Sequence, residues 1–144
     1  MILYCDTSAL VKLYAQEQHS EWVREQVTLA SSCVVSQMAW VEANAAFGMK
    51  RRNEEITPAE QRSALKRLTR ERPMFTRMAI DMSILHEAAE LALRFGLRAY
   101  DSVQLASASR GFQQIGNSFA FCCFDKQLNK AAGDMGLRLC GPNL

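Results

Sequence analysis

Short apolar runs, each followed by a stretch with helical spacing, constrain the fold of this chain more than any other feature. Ile2–Cys5, Cys33–Val35 and Phe119–Phe124 are such runs. Each is too short for a buried helix and is built from strand-forming residues, so each reads as a strand covered on both faces. Phe75–Ile80 and Leu137–Cys140 are weaker strand candidates. Between them lie helices. Ala9–Tyr14 and Ser20–Leu29 come first, then a helix from Ser36 or Gln37 to Arg52 with Met38, Val41, Ala45 and Met49 as its apolar positions. Thr57, Pro58 and Glu60 form a capping box with proline in the first turn, and Pro73 stops that helix. Ile84, Ala88, Leu91, Ala92 and Phe95 trace a further stripe ended by Gly96. Tyr100–Arg110 and a last helix capped by Asp125 complete the set. Strands alternating with helices predict an α/β fold, a parallel sheet with helices on both faces, and one domain over 1–144.

Acids mark the junctions. Asp6 follows the first run, Asp125 follows the Phe119 run, and Asp101 opens a helix. In an open α/β sheet, functional groups gather beyond the carboxyl ends of the strands. Acids meeting there repel each other, and a hard cation such as Mg²⁺ or Mn²⁺ relieves that repulsion. Each Asp is also a natural helix cap. Glu42 has Met38, Ala45, Ala46 and Met49 as its helical neighbours. It therefore lies on or beside an apolar stripe, where a lone carboxylate is costly unless it is paired, protonated or metal-bound.

Charge and composition bound the remaining possibilities. Residues 50–77 hold nine basic side chains against four acidic ones, while the whole chain is only +2. A basic arm beside an acidic site suits a polyanionic substrate, and equally describes a solvated helix face. The five cysteines have no spaced framework and no CxxC, which fits buried thiols in a reducing cytoplasm rather than disulfides or zinc. No apolar stretch approaches the ~20 residues of a membrane helix. A charge at Asp6 and the lack of a basic leader argue against a secretory signal. His19 and His86 have no zinc-type neighbours. Neither Ser8 nor Ser102 sits in a GxSxG elbow, and there is no phosphate-binding glycine loop.

Met1–Tyr14 resembles the opening of PIN-domain proteins, especially the VapC-type toxins of toxin–antitoxin systems. Trp40-Val-Glu-Ala43, Leu97–Ala106 and Phe124-Asp125 with Leu128 and Ala131-Ala132 resemble that family's later motifs, in order. One departure is Cys123, where the family often has threonine. The resemblance implies a three-layer α/β/α PIN-like fold with a central, mainly parallel sheet. It also implies a Mg²⁺- or Mn²⁺-dependent endoribonuclease whose acidic pocket is Asp6, Glu42, Asp101 and Asp125, with Ser8 assisting. Lys50, Arg51, Arg52, Arg62, Lys66 and Arg70 would then hold the RNA backbone. Further implied features are a homodimer, a cognate VapB-type antitoxin that places an Arg or Lys among the acids, and structured RNA such as tRNA or rRNA as substrate. A housekeeping RNA-processing nuclease and a non-catalytic RNA- or protein-binding module are the alternatives.

Overall fold

The computed structural model describes residues 1–141. The strands are β1 (Ile2–Cys5), β2 (Ser32–Ser36), β3 (Thr76–Met78), β4 (Phe119–Cys122) and β5 (Leu139–Cys140). The helices are α1 (Thr7–Tyr14), α2 (Ser20–Leu29), α3 (Ala39–Arg52), α4 (Pro58–Glu71), α5 (Met82–Phe95), α6 (Ala99–Ile115) and α7 (Lys126–Asp134). The sheet order is β3-β2-β1-β4-β5, and every pairing is parallel.

Topology determines which helices cover which face. The chain moves outward from β1 to β2 and β3, returns to the other side of β1 as β4, and continues to β5. Parallel crossovers are right-handed, so reversing direction moves the connecting helices to the opposite face. Leu3, Cys5, Val35, Ala120 and Cys122 accordingly pack with residues of α1 to α4. Tyr4, Val34, Phe119 and Phe121 pack with residues of α5, α6 and α7. The result is an α/β/α sandwich, as the alternation predicts. The switch point lies between β1 and β4, where α/β folds open a crevice beyond the strand ends.

Local signals explain most boundaries. Thr57 accepts from the Glu60 amide and Glu60 returns a bond to the Thr57 amide, completing the capping box of α4. Gly96 adopts φ 65° and terminates α5. Three expectations need correction. The third helix begins at Ala39, because Ser36 still belongs to β2 and the Gln37 amide bonds to the Met78 carbonyl. Its buried positions are Ala39, Ala43 and Phe47, whereas Val41, Ala45 and Met49 are exposed. α6 also runs five residues past Arg110. It passes through Gly111, whose lack of a side chain admits the buried Phe119 ring.

A Cβ at position 111 would stand 2.4 Å from Phe119 Cζ. Gly111→Ala is therefore expected to destabilise the protein by about 1–3 kcal/mol despite alanine's better helix propensity. Gly48→Ala, which meets only the mobile end of Arg52, should be neutral or stabilising by up to ~1 kcal/mol. Urea unfolding of the two variants checks the contrast.

Candidate active site

Asp6 is placed by the central strand. β1 ends at Cys5, the Asp6 amide bonds to the Cys122 carbonyl, and the Asp6 side chain caps α1. One oxygen, Oδ2, accepts from the Ser8 amide at 3.2 Å and the Ser8 hydroxyl at 2.6 Å. The Cys123 thiol lies 3.5 Å from the same oxygen. Only 5% of Asp6 is exposed. Burial pushes its carboxyl above the usual range, the Ser8 and Cys123 bonds pull it back, and the charge of Asp101 pushes it up again. Asp6 and Asp101 are thus near enough to repel, though 95 residues separate them in the chain.

Glu42 enters from the first turn of α3, at the rim of that helix's buried face. Burial and then the Asp6 charge raise its carboxyl to about 7, Thr7 and Gln104 oppose this, and Asp101 adds to it. Gln104, one turn beyond Asp101 on α6, holds Glu42 directly. Its Nε2 donates to Glu42 Oε1 at 2.9 Å and to the Thr7 hydroxyl at 3.1 Å. Its Oε1 accepts from the Tyr4 phenol at 2.6 Å, which fixes the amide's orientation. Burial keeps that phenol protonated, and therefore a donor, throughout the ordinary pH range.

Asp101 lies in the first turn of α6, and its Oδ2 accepts from Arg98 Nε at 3.2 Å. Arg98 is 85% exposed, so this pair is screened and easily exchanged. Asp125 caps α7 by accepting from the Leu128 amide at 2.9 Å. Cys123 ties it to Asp6, because the Asp125 amide donates to the Cys123 sulfur at 3.3 Å. Ser8 joins the same knot: its hydroxyl also accepts from the Phe124 amide at 3.0 Å.

Among the described residues, no three His, Cys, Asp or Glu side chains form a ready-made metal cage. An all-oxygen, partly hydrated site fits Mg²⁺ or Mn²⁺ nonetheless. Mg²⁺ commonly uses one or two carboxylates and keeps several waters. Asp101 pushes the Asp6 carboxyl up, and Asp6 and Asp101 push that of Glu42 up; a cation relieves repulsion of this kind.

The expected RNA contacts are scattered. Lys50 is 2.6 Å from Glu17, and Arg51 bonds to the Ile56 carbonyl. Arg52 is exposed, and Lys50–Arg52 lie eight to ten residues beyond Glu42, about 12–15 Å along the helix. Arg62, Lys66 and Arg70 are exposed on α4, away from its buried Ala64 and Leu68. Gln104, Thr7 and Tyr4 were not singled out by the sequence, although an amide inside the apolar stretch Val103–Ala106 is a visible signal.

The parallel sheet, the switch-point crevice and the converging acids define a PIN-type nuclease scaffold. Residues 3–134 match the PIN domain, and the chain belongs to that family. It is 30% identical over 141 residues to Ribonuclease VapC46 of Mycobacterium tuberculosis, spanning 98% of each chain. Its fold is similar to FitAcB from Neisseria gonorrhoeae (TM-score 0.69, 17% identity, 98% of this chain and 97% of that one). It is also similar to a toxin–antitoxin complex from Klebsiella pneumoniae (TM-score 0.59, 15% identity, 87% of each).

The raised Glu42 carboxyl has a direct consequence for stability. An acid whose folded pKa exceeds its unfolded value binds more protons when folded, so stability falls as pH rises from about 4.5 to about 7 and then stays level. In EDTA, Glu42→Gln should therefore melt above the wild type at pH 8, with the gap closing by pH 5. Calorimetry across that range checks it. A constant gap would contradict the buried, repelled state of Glu42.

Proposed function

We propose that this protein is a metal-dependent endoribonuclease, the toxin of a type II toxin–antitoxin pair, working as one domain in the cytoplasm. One arrangement carries the reading: Asp6, Glu42 and Asp101 come from three remote segments to the carboxyl edge of a PIN sheet, where Asp101 pushes the Asp6 carboxyl up and both aspartates push Glu42 up. Similarity over nearly the whole length to Ribonuclease VapC46 supports it.

When bound, a divalent cation supplies charge neutralisation at the scissile phosphate and an activated water. The chain's own groups do the rest. Ser8 and Cys123 engage Asp6 Oδ2, and Oδ1 has no hydrogen bond among the described residues. Gln104 and Thr7 fix Glu42. Asp101 would give up its exposed Arg98 partner to hold the cation, and Asp125 would line the β4 side. Mg²⁺ or Mn²⁺ is the fitting ion, with Asp6 and Asp101 as direct ligands and Glu42 and Asp125 as direct or water-bridged ones.

Partners follow the same reading: an RNA substrate of the tRNA or rRNA type, a VapB-type antitoxin and a second copy of the chain. Val41 and Met49 on α3, Leu85 and Leu93 on α5, and Tyr100 on α6 leave apolar surface of the kind such interfaces use. Among the described residues, no helix is long and apolar enough to cross a membrane.

Asp6→Asn and Asp101→Asn should each lower RNA cleavage at least about 100-fold while the protein stays folded, and EDTA should abolish wild-type cleavage. A gel assay of RNA with Mg²⁺, Mn²⁺ or EDTA, alongside circular dichroism, checks this. Full cleavage by either variant would sink the assignment.

Gln104→Leu removes the Glu42 clamp and leaves the Tyr4 phenol without its acceptor. We expect kcat to fall about 10- to 100-fold with KM for RNA within about twofold, since only orientation is lost. Steady-state kinetics on one RNA substrate separates the two constants.

A further inference from the structure

A cleft on the other flank of α3 carries positive side chains and no carboxylate. Gln37, Arg72, Arg77 and Ala79 line an open groove of about 350 Å³, and a smaller cavity beside it adds Ser36 and Trp40. Arg72 stacks on the Trp40 ring with its guanidinium carbon 4.6 Å from the centroid. Its Nε is buried and has no hydrogen-bond partner among the described residues. Neither Arg72 nor Arg77 belongs to any ion pair recorded among those residues. Gln37 Oε1 accepts from the Ile80 amide, which sets the orientation of the side chain, and its Nε2 donor has no hydrogen bond among the described residues. No carboxylate lines either cavity.

An unsatisfied, buried guanidinium nitrogen is rare and requires an explanation. Two unpaired arginines and a free amide donor facing one groove create a positive potential that an anion relieves. Position identifies the anion. Gln37 follows β2 and Ala79 follows β3, so the groove opens at the same carboxyl edge as Asp6. Trp40 and Glu42 lie two residues apart on α3, about 200° around its axis. The acidic crevice and the basic groove therefore lie on opposite flanks of α3, about one helix diameter apart.

We propose that Arg72, Arg77 and Gln37 form a subsite for an RNA backbone phosphate flanking the bond that is cut, with Trp40 as the plate that holds Arg72. The inference rests on the nuclease reading above. The acids and their cation take the scissile phosphate, and the arginines take a neighbouring one, so the strand crosses the start of α3. The groove's openness suits a continuing chain. Backbone contacts of this type give affinity and register without reading bases.

The test measures binding apart from chemistry. In an Asp6→Asn background, fluorescence anisotropy follows a labelled stem–loop RNA across a salt series. Arg77→Ala, whose side chain is exposed, should weaken binding about threefold to tenfold and flatten the slope of log Kd on log salt by about 0.7–0.9. Arg72→Lys, which keeps the charge and loses the planar fork, should weaken binding with the slope held. Arg94→Ala, on α5 in the opposite layer, should change neither. With Asp6 intact, Arg77→Ala should raise KM and spare kcat. Unchanged affinity and slope in Arg77→Ala, or an equal loss in Arg94→Ala, overturns the subsite. Failure of the wild-type protein to cleave RNA in Mg²⁺ or Mn²⁺ would overturn the nuclease reading instead, so the two failures are distinguishable.

Discussion

The proposed catalysis depends on a carboxylate held where carboxylates are least stable. Asp6 ends the central strand, is almost fully buried, and faces other acids. Three short contacts to Ser8 and Cys123 keep it in place without neutralising it. A helix cap alone would not require burial, since caps work well on the surface. Burying an acid beside Glu42 and Asp101 costs stability in the free protein. That cost is tolerable if a cation or substrate meets it in the working state, which is how strained or repelled groups persist at functional sites.

The supporting shell is built from both helical layers. Tyr4 points into the α5–α7 side and Thr7 begins α1, yet both meet Gln104, which then reaches Glu42 from α3. One buried amide thus joins the two layers through the sheet at the edge where the acids stand. Around it, charge is polarised: acids on one flank of α3, unpaired arginines on the other. A polyanion laid across that helix would find a cation-binding zone and a phosphate-binding zone about one helix diameter apart.

Much of the fold was legible because local rules agreed with the tertiary result. The capping box at Thr57, the stop at Gly96 and the apolar runs at Ile2 and Phe119 each state their element, and the parallel sheet follows. α3 shows where local reading fails. Val41, Ala45 and Met49 look like a buried stripe, but Ala39, Ala43 and Phe47 are the buried set. Small side chains let α3 approach its neighbours closely, a preference that only packing reveals. Asp6, Asp101 and Asp125 stand out in the sequence because each falls at a strand or helix junction, and Glu42 because its helical neighbours are apolar. Gln104 and Arg72 could not be assigned, because their roles depend on contacts 62 and 32 residues away in the chain. Lys50 looked available for RNA and is instead engaged by Glu17.

The most direct test of the account is where a divalent cation binds. A crystal of the protein grown with Mn²⁺ and measured for anomalous scattering should show a peak bounded by the carboxylates of Asp6 and Asp101 and within a water's reach of Glu42. No peak there at saturating Mn²⁺, or a peak held by other residues while RNA cleavage still requires the ion, would contradict it.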